Sequence, residues 1–142
     1  LENIKVNKKN YNFSKFIKIP DVITNSKDFD YFNSINSTEN YVTDSTITSD
    51  VLNYSNIKNF NKIQNSIILI ENADPGYDFL FSNNISGLIT KYGGSNSHMA
   101  IRCMELNIPA IIGIGEKKYS EIINAKKLFL DCKNNNYKII LW

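Results

Sequence analysis

Residues 66–114 read SIILIENADPGYDFLFSNNISGLITKYGGSNSHMAIRCMELNIPAIIGI, and the punctuation of this stretch decides the architecture. Ser66–Ile70 is a short, nearly continuous apolar run, as expected of a strand buried on both faces. Glu71–Gly76 is dense in turn formers, and Asp78–Phe81 fits one helical turn. Ile85–Thr90 reads as a second buried strand, ending at Lys91-Tyr92-Gly93-Gly94. Ser97–Leu106 predicts a helix whose apolar face is Met99, Cys103 and Leu106 at i, i+4 and i+7, alongside Ala100. Asn107 is a left-handed stop, and Pro109 cannot continue the helix. Ile108–Ile114 is then a third buried strand.

Downstream, Tyr119–Ala125 predicts a short helix. Lys127–Asp131 and Tyr137–Leu141 predict a hairpin around Lys133–Asn136, because Asn tolerates positive φ. Upstream, residues 21–65 are rich in Ser, Thr, Asn and Asp. Short β-prone pieces at Tyr41–Thr43 and Ser45–Thr48 punctuate them. Residues 1–20 carry five lysines against Glu2 without a helical stripe and read as a linker or arm. Strands alternating with short helices give an α/β class with a small central sheet flanked by short helices. The expected partition is an arm over 1–20 and one domain over 21–142. The chain opens at Leu1 without a methionine, which suggests part of a larger enzyme.

The 142 residues suffice for a single core, and a net charge of +2 with interspersed signs gives no argument for nucleic acid or an anionic membrane as partner. The apolar runs fall far short of the roughly 20 residues a membrane span needs. The heavy use of Asn, Ile and Lys fits an AT-rich coding genome. Cys103 and Cys132 form no CxxC pair, and with a single histidine in the chain a usual zinc site lacks ligands. No metal is expected, and the setting expected is reducing and cytoplasmic.

Chemistry concentrates in Tyr92-Gly93-Gly94-Ser95-Asn96-Ser97-His98-Met99-Ala100-Ile101. Between a buried strand and an amphipathic helix, backbone amides fan out at a helix N-terminus, where unpaired N–H groups and the positive end of the dipole favour an anion. Gly93 and Gly94 let the backbone take positive φ and approach a ligand closely. Ser97 is an N-cap candidate and a hydroxyl donor. His98 would sit in the first turn. There the helix dipole disfavours the imidazolium, leaving a neutral nucleophilic imidazole suited to covalent catalysis. By itself a lone histidine at a helix start is more often a cap or a surface residue. The glycine pair is neither GxGxxG nor a Walker loop.

The wider string LITKYGGSNSHMAIRCMELNIPAIIG resembles the phosphohistidine swivelling domain of phosphoenolpyruvate (PEP)-utilising enzymes. That family includes PEP synthase, pyruvate phosphate dikinase, the first enzyme of the sugar phosphotransferase system and rifampin phosphotransferase. Its pattern is roughly T-x-x-G-G-x-x-[ST]-H-x-A-I-x-A-R-E-x-G-I-P-A-[IV]-x-G. Thr90, Gly93, Gly94, Ser97, His98, Ala100, Ile101, Glu105, Ile108, Pro109, Ala110 and Gly113 match it. Ala73-Asp74-Pro75-Gly76 is similar to the family's Asp-Pro turn. The family's Ala-Arg is Cys103-Met104 here, with Arg102 the nearby substitute, and the helix-ending glycine is Asn107.

The resemblance implies a swivelling β/β/α fold in which His98 is the transient phospho-carrier. Gly93, Gly94, Ser95 and Ser97 would form the phosphate cradle, with Arg102 a further candidate. It implies partners in the same parent chain, an ATP-grasp nucleotide-binding domain and an acceptor-substrate domain. ATP and Mg2+ would be used by the parent, with no cofactor bound by this domain and no activity alone. The acceptor implied is pyruvate, a rifamycin-type alcohol, or the side-chain amide of glutamine, as in glutamine kinases of capsule biosynthesis, the branch favoured. The alternatives are a protein-to-protein phosphocarrier of the sugar phosphotransferase type and a degenerate module that binds an anion or partner. Cys103 is expected on the inner helix face, Asp74 as a turn cap, Tyr92 beside the phosphate site or over the core, and Trp142 as a terminal packing residue.

Overall fold

In the computed structural model the chain divides into two units, Leu1–Asn36 and Ser37–Trp142. The described residues are 39–57 and 63–141, with Lys5, Asn7, Lys8 and Tyr11, which are helical. The expected arm over 1–20 otherwise lies outside them, as do residues 21–38, 58–62 and Trp142.

Among the described residues, seven strands form one sheet. They are β1 (Asn40–Val42), β2 (Thr46–Asn53), β3 (Ile67–Asn72), β4 (Gly87–Tyr92), β5 (Ala110–Ile112), β6 (Lys127–Asp131) and β7 (Asn136–Ile140), in the spatial order β1-β5-β4-β3-β2-β6-β7. The four central strands run parallel. Antiparallel β1 closes one side, and the antiparallel β6–β7 hairpin closes the other. β2 is shared end to end. Its first five residues pair with β6, from Thr46↔Asp131 to Asp50↔Lys127, and its last three pair with β3, from Val51↔Ile67 to Asn53↔Leu69.

The run Ile67–Ile70 shows why a parallel central strand is apolar throughout. Ile68 and Ile70 enter one hydrophobic cluster with Leu88, Met99, Ala100 and Cys103. Ile67 and Leu69 enter the other, with Ile89, Ile111, Tyr119 and Ile122. Side chains alternate across the sheet, so only an unbroken apolar run fills both faces. Burying each such side chain contributes roughly 1.5–3 kcal/mol. The first face is covered by a 3-10 segment, Pro75–Asn83, and by helix α1, His98–Glu105. The second is covered by helix α2, Glu116–Ile122.

Element edges depart from the sequence expectation for local reasons. The strand expected over Ile108–Ile114 is only Ala110–Ile112, because Gly113 turns to φ +72 and leaves the ladder. α2 starts at Glu116 rather than near Tyr119, since Gly115 at φ +84 already turns the chain. Leu106, expected on the inner face of α1, is 44% exposed, whereas Met99, Ala100 and Cys103 are fully buried. It is the C-cap residue, past the last full turn, so its side chain no longer follows the helical stripe. Asn107 takes the left-handed stop at φ +53, and its amide reaches the Met104 carbonyl. Among the described residues, no helix is long and apolar enough to cross a membrane.

Candidate functional site

The site lies where β4 leaves the sheet and α1 begins. Gly93 follows β4 at φ +138, and a Cβ there would stand 2.6 Å from that of Ala73, so this position demands glycine twice over. Gly113 crosses beside it, and a Cβ on Gly113 would come within 2.3 Å of the Gly93 carbonyl oxygen. The Gly113 amide donates to the buried Thr90 hydroxyl at 2.9 Å, which ties the end of β4 to the end of β5. Gly94 differs from the expectation. It is not at positive φ, and a Cβ there would meet nothing within 4 Å. Its contribution is bare, accessible backbone rather than a forced turn.

The turn closes when the Ser97 amide donates to the Gly94 carbonyl at 3.0 Å. Ser97 is the N-cap of α1, its hydroxyl oxygen accepting from the Ala100 amide at 3.3 Å. A capping hydroxyl still has its own proton to donate. The N–H groups of His98 and Met99, in the first turn, have no intrahelical acceptor. Ser95 is exposed in the turn.

His98 is the first residue of α1, and 43% of its side chain is exposed. Its Nε2 lies 3.0 Å from Oδ1 of Asp78. The same carboxylate oxygen accepts from Arg102 Nε at 3.1 Å, and an Arg102 terminal nitrogen donates to Glu105 Oε2 at 2.8 Å. The hydrogen bond from His98, with those and the charge from Arg102, holds the Asp78 carboxyl below the usual carboxylate range. Glu105 first and Asp78 second raise the Arg102 guanidinium above its ordinary value.

Asp78 reaches this position because the 3-10 segment is pinned at both ends and in the middle. Asp74 caps it, accepting from the Gly76 amide at 2.7 Å, as the sequence suggests, and Pro75 supplies a pre-set φ. Leu80 and Phe81 are buried under α1, and Asn84 ends the segment in the left-handed region at φ +51. The Arg102 guanidinium carbon lies 5.7 Å from the Phe81 ring centre, so the same anchor that places Asp78 also supports its partner.

The expected site residues therefore fall into two adjoining groups. Gly93 and Ser97 line a cleft of about 280 Å3 with Tyr92 and residues 72–75. Gly94, Ser95, His98 and Arg102 are not among its lining; His98, next in the chain to Ser97, is joined to Arg102 through Asp78. Arg102, expected either to reach phosphate or to be solvated, is held by two carboxylates. Tyr92 lines the same cleft, with its hydroxyl donating to Glu116. Sequence reasoning missed Asp78 as a site residue, since its partners lie 20 and 24 positions away. The usable signal is His98 and Arg102 at i and i+4, two donors on one helix edge that call for a shared acid. Cys103 is buried, and desolvation pushes its thiol up to about 12, so it is inert packing. Among the described residues, no cluster of three or more His, Cys, Asp or Glu could hold a metal ion.

No curated protein matches the chain. The family model described as the PEP-utilising enzyme, mobile domain, matches residues 62–135. That match runs from just before β3 to the hairpin turn between β6 and β7, and it spans both halves of the cleft and the His98–Asp78–Arg102 group. By that match, over more than half its length, the chain belongs to the family of PEP-utilising enzyme mobile domains.

Proposed function

We propose that this domain is a phosphohistidine carrier of an ATP-dependent, PEP-synthase-like phosphotransferase, with His98 as the transient acceptor. The observation that carries the reading is the placement of the only histidine in the chain. It stands at the first position of α1, part exposed, beside a glycine-led cleft within the matched family region. An imidazole nitrogen forms the N–P bond as the P–O bond to the departing nucleotide breaks, and the electron pair leaves on that oxygen. In the second step the acceptor's oxygen or nitrogen attacks phosphorus, the N–P bond returns its pair to the ring, and the acceptor's proton passes to solvent.

Gly93, Gly94, Ser95 and Ser97 supply amide and hydroxyl donors for phosphoryl oxygens, and Arg102 adds fixed positive charge. ATP with Mg2+ and the acceptor belong to other domains of the parent enzyme. The acceptor we favour is the amide nitrogen of glutamine, in a cytoplasmic, capsule-linked pathway, and the family resemblance supports the transfer step more directly than this choice.

The test is mass spectrometry of the parent enzyme after brief incubation with ATP and Mg2+, quenched at alkaline pH. An acid-labile adduct on the His98 peptide, lost in His98→Asn, is expected, and its mass separates phosphoryl from pyrophosphoryl transfer. An unmodified His98 with ATP bound would overturn the ATP-loaded carrier and leave the protein-to-protein relay and the degenerate anion-binding module. Adding glutamine should discharge the adduct if the acceptor assignment is right.

A further inference from the structure

The cleft that includes Ser97 is made chiefly by the carboxyl ends of two neighbouring strands. Asn72 and Tyr92 are register partners at the ends of β3 and β4. Ala73, Asp74 and Pro75 continue the lining from the first, and Gly93 continues it from the second. Ligands of open α/β sheets lodge outside the carboxyl ends of the strands. The lining contains no lysine, arginine or histidine, and its one charged side chain is Asp74. One Asp74 oxygen accepts from the Gly76 amide, and the other is left to accept. Asn72 adds a side-chain amide that both donates and accepts, and no other described residue engages it.

Tyr92 is the aromatic member of the lining, and groups outside the cleft hold its ring. The hydroxyl is bonded to Glu116, and the Lys91 ammonium lies 4.8 Å from the ring centre. That ammonium is 3.7 Å from Glu116, so it is already paired with an acid. These groups sort occupants by charge. A carboxylate or a polyphosphate would face Asp74 with no cationic side chain in the lining to offset it. An uncharged amide or hydroxyl finds donors, acceptors and an aromatic ring. Gly93 and Ser97 belong to the cleft and to the phosphoryl cradle alike, so a group seated in the cleft adjoins the phosphoryl group rather than replacing it. The volume, about 280 Å3, is below the roughly 300–1,000 Å3 of pockets that enclose a whole small ligand, so the cleft takes one end of a molecule.

We propose that this cleft is the mobile domain's own share of the acceptor site, seating the uncharged polar end of the acceptor, with Tyr92 and Asn72 as its specificity-determining residues. This deepens the carrier reading of His98 and rests on it. The rest of the acceptor site belongs to the parent's acceptor domain, so the acceptor is selected by both surfaces when they meet. Asp74 disfavours an anionic acceptor such as pyruvate.

The test titrates the chain in turn with propionamide, pyruvate and pyrophosphate while the backbone amide signals of Asn72, Ala73 and Tyr92 are followed by NMR. Propionamide should shift them saturably. Tyr92→Ala should abolish the shift at Asn72 and Ala73 while the Leu80 and Met99 methyl signals stay in place. Tyr92→Phe, which keeps the ring and loses the bond to Glu116, should retain it. No saturable shift with propionamide overturns the proposal, and so does a tighter response of these signals to pyruvate or pyrophosphate. In the parent enzyme, Tyr92→Ala and Asn72→Ala should lower kcat/KM for discharge of phospho-His98 to glutamine about tenfold more than kcat/KM for loading from ATP. An equal loss in both half-reactions marks a structural role and overturns the assignment of these two residues. The two ideas fail separately. A His98 that ATP never labels removes the carrier reading and leaves the titration standing, whereas a labelled His98 with no propionamide response removes this one.

Discussion

The two faces of the sheet are built alike and used differently. Each is a layer of branched aliphatic side chains from the same parallel strands, covered by one short helix. On the α2 face the helix closes the layer with Tyr119 and Ile122, and burial holds the Tyr119 hydroxyl up at about 12. On the α1 face the helix shares the layer with the 3-10 segment, and where the two meet at the edge stand His98, Asp78 and Arg102. The candidate site sits where two covering elements adjoin, because a single helix can bury its inner face but cannot bring an acid from another part of the chain to its first turn.

The comparison can be broken at the seam beneath the site. Gly113→Ala should cost most, since overpacking against the Gly93 carbonyl, roughly 1–3 kcal/mol, adds to backbone strain at φ +72, roughly 1–3 kcal/mol. Denaturant unfolding measures the sum. The faces are next compared directly by Leu69→Ala and Leu88→Ala, both fully buried but on opposite layers. Each should lose roughly 3 kcal/mol of stability in the same assay, and only Leu88→Ala should also shift the His98 ring signals. Removing the cap of α1 by Ser97→Ala should cost about 1 kcal/mol and loosen the first turn that carries His98.

The smallest effect is on acid stability and sharpens the contrast further. The Asp78 carboxyl lies below its ordinary value of 3.8, held there first by the His98 bond and then by Arg102. The stability it contributes is present above that ordinary value and is lost as pH falls through the folded one. Asp131, in the hairpin half, is lowered in the same direction by the Asn134 side chain. Asp78→Asn and Asp131→Asn should each make acid unfolding slightly less steep below about pH 4, and only the former should disturb His98.

Much of the molecule was legible because its signals are local. The apolar run of β3, the Ser97 cap, the Asn107 stop and the hairpin at Asn135 each depend on neighbours a few residues away. The α/β class and the family resemblance followed from the same stretch. What escaped was set by pairing across distance. The sequence of β2 shows only a short β-prone piece at 45–48, because its polar, alternating pattern makes sense only with β6 and β3 on its two sides. Asp78 looked like one residue of a turn because nothing near it in sequence needs a carboxylate. The glycine pair permits positive φ at both positions, and only Gly93 uses it, because the backbone has turned by Gly94.

The end-to-end sharing of β2 has a mechanical consequence. In the sheet's strand pairing the β6–β7 ladder joins the parallel strands through this one strand, and the change of partner falls between Asp50 and Val51. Strand pairing across that splice is three residues long, so the hairpin is held to the parallel strands chiefly by Leu128, Leu130 and Cys132, which share a buried cluster with Ile67, Leu69 and Ile111. Amide exchange should register two cooperative blocks, with the hairpin opening first and the ladder between β3 and β4 surviving longest. A splice of that kind lets one end of a small domain give way while the end that bears the histidine keeps its shape.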